Sequence, residues 1–525
     1  MTAGVTRHRQ LVLAVVAAGL FVAALDTYVV VTLLPRMMFD LALPIDRIEQ
    51  ATPIITGFLV GYIVTMPLMG AISDTYGRGR VYLVSLAVFA LGSLLTATAG
   101  LATIPSESLA GLPWLVVGRV LQGLGGGAMV PVALALAADL YPVGRRAVAL
   151  GAIAAVQETG SVLGPLYGAA LAGAAAGLGG WRAIFWVNLP LAALCAAGLA
   201  YTARRGAMPA PPRPAAGARI DWLGGALLGV GLALTVLALY PDDPSRHAVG
   251  PLFAPLGLLA LVALGGFVWQ QARGSDPLIP PALLRNRIFI GANLTNLLVG
   301  AGLIVALVDV PIVARGIFGL NELDGALLLA RFMVAIPFGA LVGGWLSNRV
   351  GYRLAACAGL LLAALAFYRM SSWQADELTR SVAGIPDATI TLGLCGLGFG
   401  LVIAPVAAAI LDRSQGQQHG LASSLVVLAR SLGMLLGLSA LAAFGIRRFY
   451  QLFNQQPLPA LGQAGSVDSA RLTILLQQRV TSVLLQEYHE IFTIAAGICV
   501  VAAVVAVATL GGGGRAASPV AEVVA

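Results

Sequence analysis

Apolar residues run in blocks of about twenty or more along almost the whole chain, separated by short polar stretches. About fourteen blocks can be read, near residues 11–34, 51–72, 81–100, 112–138, 147–176, 183–202, 222–240, 250–270, 288–314, 323–346, 354–370, 387–411, 421–444 and 491–510. A bilayer's hydrocarbon core takes ~20 consecutive apolar helical residues to cross, so nearly every block is long enough to span it. The pattern predicts an all-α integral membrane protein. One carboxylate, Asp26, interrupts the first block in FVAALDTYVVV. At the centre of a spanning helix a charge costs roughly 2.5–3.5 kcal/mol on insertion scales, so its presence asks for a reason.

Composition agrees with this class. Of 525 residues, 59% are hydrophobic and 10% charged, where a soluble domain carries about 25% charged residues. The formal net charge of +8 does not point to nucleic acid, because of where it lies. Every basic residue is Arg, and the arginines gather at alternate block ends: Arg7/Arg9, Arg78/Arg80, Arg145/Arg146, Arg204/Arg205, Arg273/Arg285/Arg287 and Arg349/Arg353. Under the positive-inside rule these loops are cytoplasmic, and an even number of spans puts both termini there. Arg447 and Arg448 run against the bias. The first apolar block is too long for a cleaved signal and reads as the first helix.

Classical site chemistry is missing from the sequence. Cys195, Cys357, Cys395 and Cys499 sit singly in apolar blocks, and the four His are scattered, so no metal site is expected. No nucleophile elbow, phosphate loop or zinc-protease pattern is present, and no enzyme activity or cofactor is predicted.

The chain repeats itself. GAISDTYGRGR (70–80) and GWLSNRVGYR (344–353) share Gly, Ser followed by Asp or Asn, Gly and a basic residue, at an offset of 274 residues. Both lie on short cytoplasmic loops, which predicts two related halves of six helices. Between them a Pro-rich basic linker (203–221) leads into two spans without counterparts. The predicted order is 6 + 2 + 6: residues 1–203 as one bundle, 204–286 as linker plus two extra helices, and 287–525 as the second bundle.

These motifs carry a resemblance over nearly the whole chain. GAISDTYGRGR resembles the signature loop of the major facilitator superfamily, with Gly70, Asp74, Gly77, Arg78 and Arg80; Thr75 and Gly79 replace basic residues usual there. GRVLQGLGGGAMVPV (118–132) resembles the fourth-helix motif, with Arg119 inside it. Gly151, Gly160, Gly164, Pro165 and Gly168 match the antiporter signature of the fifth helix, and WRAIFWVNLP (181–190) the start of the sixth. With 6 + 2 + 6 spans, the chain is similar to the fourteen-helix drug:proton antiporter subfamily. ALDTYVVV and a long insertion before the last span resemble more closely its mycobacterial triacylglyceride-exporting branch. That resemblance implies a proton gradient as energy source, the bacterial inner membrane, an extracytoplasmic lipid-binding lipoprotein as partner, and roles for Asp26, Glu158 and Arg430.

Read on their own chemistry, Asp26, Arg119, Glu158, Asp309, Arg331 and Arg430 are charges within apolar blocks, where a functional role with a named partner is the default. The 274-residue offset carries Glu158 to within two residues of Arg430, so the two are predicted to pair across the halves. Asp26 is the candidate proton carrier and Arg119 its partner; the alternative is a static pair that only holds helices together. Asp309 reads as a charge near the outer end of its span, and Arg331 as a buried or snorkelling one. Asp74 is placed to cap the helix starting near Gly420–Ser423, with Arg78 and Asp139 extending a cytoplasmic latch.

Residues 445–490 form the last unusual feature. Pro457 and Pro459 mark a turn, after which Leu472, Leu475, Leu476, Val480, Val483 and Leu484 recur at helical spacing. One helix over 468–510 would be ~60 Å long, twice the bilayer core. This predicts an outer helical hairpin, either projecting or lying on the membrane. The functional expectation is a monomeric proton-coupled exporter of lipids or other amphipathic compounds by alternating access. The alternatives are a small-molecule multidrug:proton antiporter and a non-transporting membrane scaffold.

Overall fold

The computed structural model describes residues 2–41, 43, 50–100, 111–174, 180–206, 221–240, 249–274, 277–382, 384–412, 414, 418–455 and 469–511. Among the described residues, fourteen helices are long and apolar enough to cross a membrane, so the chain is a multi-pass membrane protein. Six come first: α1 (Thr2–Asp40), α2 (Thr52–Tyr76), α3 (Arg78–Thr98), α4 (Gly111–Leu140), α5 (Val143–Ala174) and α6 (Arg182–Arg204). Two follow, α7 (Trp222–Leu239) and α8 (Phe253–Arg273), then a one-turn helix, α9 (Pro281–Leu284). The last six are α10 (Arg287–Gly316), α11 (Glu322–Val350), α12 (Tyr352–Met370), α13 (Asp387–Leu411), α14 (His419–Gln455) and α15 (Ser469–Thr509).

The sequence repeat is visible as repeated backbone. Gly77 ends α2 and opens α3 with φ 93°, and Gly351 does the same between α11 and α12 with φ 86°. Only glycine takes this left-handed conformation without strain, which is why the loop motif carries it twice. Packing repeats too: α4 sits between α2 and α3, α13 between α11 and α12, while α1 packs on α5 and α10 on α14. Small residues let these backbones approach. A Cβ added at Gly125 would lie 2.6 Å from Phe89 N, and one at Gly398 2.6 Å from Ala363 N.

Contacts between the two sets of six are made by α5 on α11 and α13 and by α2 and α4 on α14. On α5 and α11, Gly151 abuts the Ala340 carbonyl and Gly344 the Ala147 carbonyl, each with only 2.6 Å for an added Cβ. On α2 and α14, Gly70 and Gly420 lie backbone to backbone. Helix α7 bridges the second seam: Leu228, Leu232 and Val236 share one apolar cluster with Ile63 of α2 and Leu428 and Leu435 of α14. Ser439 Oγ also donates to the Leu239 carbonyl at 3.0 Å. Helix α8 packs on α7 and leaves Leu258, Leu261 and Val262 exposed, as a lipid-facing helix does.

Several details differ from the sequence reading. Helix α1 runs to Asp40, past the end of the apolar block, and its extension packs Met37 and Met38 with Trp181 and Phe185. A two-stranded hairpin, β1 (Ser381–Val382) and β2 (Ile385–Pro386), joins α12 to α13; two-residue strands are too short for any alternating pattern to signal them. Helices α14 and α15 are 37 and 41 residues long, about 55 and 60 Å. Beyond the core they are tied by Arg448 and Glu490, bidentate at 2.8 and 2.6 Å. The predicted turn at Pro457 and Pro459 and the side chains of Leu472, Leu475 and Leu476 lie outside the described residues.

Candidate functional site

Four helices build a closed polar centre around Asp26. Asp26 comes from α1, Arg119 and Gln122 from α4, Ser93 from α3 and Asn188 from α6. Arg119 Nη1 donates to Asp26 Oδ2 at 2.6 Å, while Asp26 Oδ1 accepts from Gln122 Nε2 at 3.1 Å and Asn188 Nδ2 at 3.0 Å. Gln122 Nε2 also reaches Ser93 Oγ at 2.9 Å, and its Oε1 accepts from Arg119 at 3.0 Å. The guanidinium stacks over Phe58, with Cζ 4.4 Å from the ring centroid, and its Nε lies 3.4 Å from the Ile54 carbonyl. Asp26 and Arg119 are each 1% exposed. Removing both charges from water costs several kcal/mol per ion, so the pair holds only because its remaining donors and acceptors are satisfied.

The glycines of α5 set the position of α1 beside this centre. A Cβ at Gly160 would come within 2.8 Å of Ala24 Cβ, and one at Gly164 within 2.6 Å of the Leu25 carbonyl, just before Asp26 on α1. Gly168 is also buried, and Pro165 between them is partly exposed. The glycine signature thus supports the helix that carries Asp26, and through Gly151 also the contact with α11.

Glu158 of α5 and Arg430 of α14 meet across the two halves, Arg430 Nη1 donating to Glu158 Oε1 at 3.2 Å. Their side chains are only partly covered, at 15% and 14% exposure, so this pair is far wetter than the Asp26 pair. A wetter pair exchanges for water at lower cost, the property a contact needs if it is to open and close.

Two further ion clusters clamp the arginine-rich face. In the first, Asp74 accepts from the backbone N–H groups of Gly420 and Leu421, both at 2.9 Å, and so caps α14 across the interface. Arg78 pairs with Asp74, reaches Ser73 Oγ at 3.1 Å and donates from Nε to Asp139 Oδ2 at 2.7 Å. The other Asp139 oxygen lies 2.7 Å from His419 Nδ1. In the second cluster, Asp412 accepts from Arg146 Nη1 at 2.6 Å and from the Tyr352 hydroxyl. Arg80 is exposed and makes none of these bonds.

Asp309 is buried at 9% exposure, in the last third of α10 before its end at Gly316. One expectation needs correcting: Arg331 is not buried but half-buried, and donates to Thr389 Oγ1 at 2.6 Å. Sequence reasoning missed Gln122, Asn188 and Ser93 because it followed charge. The signal was there: Gln122 is the only amide side chain in α4 and Asn188 the only one in α6. It also missed the tie between Arg182 and Asp40, at 2.9 Å, which with Trp181 Nε1 at 2.8 Å fastens α6 to the end of α1.

Comparison with known proteins gives a consistent family. The chain is 41% identical over 504 residues to a triacylglyceride transporter of Mycolicibacterium hassiacum, covering 94% of this chain and 90% of the relative. It is 38% identical over 502 residues to a triacylglyceride transporter of Mycobacterium tuberculosis H37Rv, covering 94% and 93%. Among solved structures, the human organic anion transporter MFSD10 superposes with a TM-score of 0.60 at 18% identity, covering 95% of this chain and 99% of that one. The proton:xylose symporter XylE gives 0.55 at 14% identity, covering 94% and 95%. These two likenesses speak to the fold. With residues 16–438 matching the family model as well, the chain belongs to the Major Facilitator Superfamily.

Proposed function

We propose that this protein is a proton-coupled exporter of triacylglyceride-like lipids, working by alternating access in a bacterial inner membrane with both termini cytoplasmic. The observation that carries the cargo class is the likeness, at about 40% identity over nearly the full length, to proteins named triacylglyceride transporters. In this reading residues 1–203 and 287–525 are the two moving bundles, and residues 204–286 contribute α7 and α8 beside them. The clusters at Asp74 and Asp412 hold the cytoplasmic side shut in this reading. Glu158 and Arg430 form and break with the cycle. Asp26 takes up a proton when Arg119 is drawn away, because a carboxylate that loses its cation inside the membrane is stabilised by protonation. No cofactor enters this cycle.

The ends of α14 and α15 project beyond the outer membrane surface in the same reading. There they shield an acyl tail on its way to an extracytoplasmic lipid-binding lipoprotein. The test uses proteoliposomes under an imposed pH gradient, with a fluorescent triacylglyceride analogue in one set and a cationic dye in another. Gradient-driven lipid movement that stops in Asp26→Asn supports the proposal. Movement of the dye alone means a multidrug:proton antiporter, and movement of neither leaves a scaffold.

A further inference from the structure

The arginine-rich face holds an open cleft of about 450 Å³, beside the ion clusters but not filled by them. Arg9 of α1, the end of α4 at Asp139 with the turn after it, and Arg146 of α5 line the cleft from the first half. His419 of α14 lines it from the second. Arg9 lies two residues before the apolar block that begins at Leu11, so it stands at the cytoplasmic border of the membrane. It is exposed and makes no hydrogen bond or ion pair among the described residues.

Arg146, the second guanidinium on the cleft, is 9% exposed. Its Nη1 donates to Asp412 Oδ1 at 2.6 Å and to the Leu411 carbonyl at 3.2 Å, while its Nε is buried with no partner among the described residues. A buried N–H without an acceptor is costly, so this group gains from an acceptor brought to the cleft. The acids nearby are already engaged. Asp139, the one acid on the described lining, accepts from Arg78 Nε at Oδ2 and meets His419 Nδ1 at Oδ1, both at 2.7 Å. Asp74 is held by Arg78 and two backbone N–H groups, and Asp412 by Arg146 and the Tyr352 hydroxyl. Arg9, and Arg145 exposed beside Arg146, enter no such pair among the described residues, so this side keeps an excess of positive charge.

We propose that this cleft binds a phosphate-bearing anion, held between Arg9 and Arg146 against the wall that α14 provides at His419. A guanidinium offers a planar fork of N–H donors that matches phosphate oxygens, and two of them on different helices fix the anion's position. The cleft has room for a phosphate with a small organic body, such as a glycerol phosphate, and is too wide to select a halide ion. The same chemistry comes from two sources: the headgroup of an anionic phospholipid at the depth of Arg9, or a soluble cytoplasmic phosphate monoester. Because both halves line the cleft, an anion seated there favours the arrangement that keeps them together on this face. In the alternating-access reading, on which only this consequence rests, the anion opposes cytoplasmic opening. The site itself stands apart from the cargo and from Asp26.

The test is thermal unfolding of the full-length protein in maltoside micelles, which carry no phosphate. Glycerol phosphate is titrated in one arm at fixed ionic strength, with sodium chloride as control, and phosphatidylglycerol is added to the micelles in the other. A ligand that binds only the folded state raises the melting temperature as its concentration passes the dissociation constant. The expected result is such a rise in at least one arm and none with chloride. A rise with glycerol phosphate identifies a soluble ligand, and a rise with phosphatidylglycerol alone a lipid headgroup; either supports the site. Arg9→Gln should raise the half-maximal concentration roughly tenfold, and so should Arg146→Lys, which keeps the charge and loses the fork. Arg36→Gln, exposed toward the other end of α1, should leave it unchanged. No rise in either arm overturns the proposal, as does a rise that Arg9→Gln leaves intact or that Arg36→Gln weakens equally. Because unfolding is read without transport, the site can fail while the exporter reading stands, and the reverse.

Discussion

The proposed cytoplasmic latch makes a prediction whose size follows from counted bonds. Asp74 accepts two backbone N–H groups at the start of α14, both at 2.9 Å, and nothing else joins those donors to the first half. Asp74→Ala removes both bonds and leaves Arg78 held by Asp139, so no orphaned guanidinium confuses the result. A hydrogen bond to a charged group contributes ~1.5–3 kcal/mol net, and water regains part of this once the interface opens. Taking about 3 kcal/mol for the two, the closed-to-open ratio of the cytoplasmic side falls roughly 100-fold. A state closed about 99 times in 100 would then be near half open. Spin labels at Arg80→Cys and Arg353→Cys, both exposed and one on each half, report this separation by electron–electron resonance in a background without native cysteines. The wild-type distance distribution should be dominated by one short component, and Asp74→Ala should add a longer one of comparable weight. An unchanged distribution would refute the assignment of Asp74 as a latch across the interface.

Other consequences can be measured separately. Arg119→Leu leaves Asp26 buried without its cation, with only the Gln122 and Asn188 amides as donors, and should cost ~3–5 kcal/mol of stability, whereas Asp26→Asn/Arg119→Leu should recover much of the loss in thermal unfolding. Equal damage in the single and double variants would mean that Arg119 acts through packing on Phe58. Glu158→Gln should lower transport while leaving the protein folded, and Glu158→Arg/Arg430→Glu should restore part of it; no restoration would separate the two residues functionally. In the loop before β1, Glu377 is 3% exposed with Asp387 beside it, and burial first, then Asp387, raises its proton affinity above the usual 4.5. The folded loop therefore binds a proton more tightly than the unfolded chain. Its stability falls as pH rises through that raised value and is recovered below it. Glu377→Gln should flatten this dependence in hydrogen exchange of residues 371–387, and a steeper one would sink the reasoning.

Hydropathy carried most of the fold, because a spanning helix leaves a run of twenty apolar residues that nothing else in a chain imitates. Charge inside those runs carried part of the candidate site for the same reason: it is rare and costly there. Asp26, Arg119, Glu158 and Arg430 were legible, and the structure brings them together in two pairs. What stayed hidden was neutral or depended on partners far away in sequence. Gln122 and Asn188 complete the shell of Asp26 from 96 and 162 residues away, and an amide in a helix does not announce which neighbour it will meet.

The latch shows how a symmetry can be present in the backbone and obscured in the letters. Arg78 opens α3 and bonds Asp139 at the end of α4, which in turn meets His419 at the start of α14. Tyr352 opens α12 and bonds Asp412 just past the end of α13, which in turn meets Arg146 near the start of α5. Arg78 and Tyr352 are 274 residues apart, while Asp139 and Asp412, and Arg146 and His419, are 273 apart. Each cluster thus joins two helices of one half to the first turn of a helix in the other half, around one central Asp. The donors are exchanged: a guanidinium inside the half and an imidazole across the interface in the first, a phenol inside and a guanidinium across it in the second. An acid that accepts two donors fixes the geometry but not their identity, so selection can hold the Asp and let its partners change. A comparison of the two halves by residue type finds the loop glycines and misses the clusters. The first cluster crosses the interface through an imidazole beside the Asp74 cap, and the second through a guanidinium.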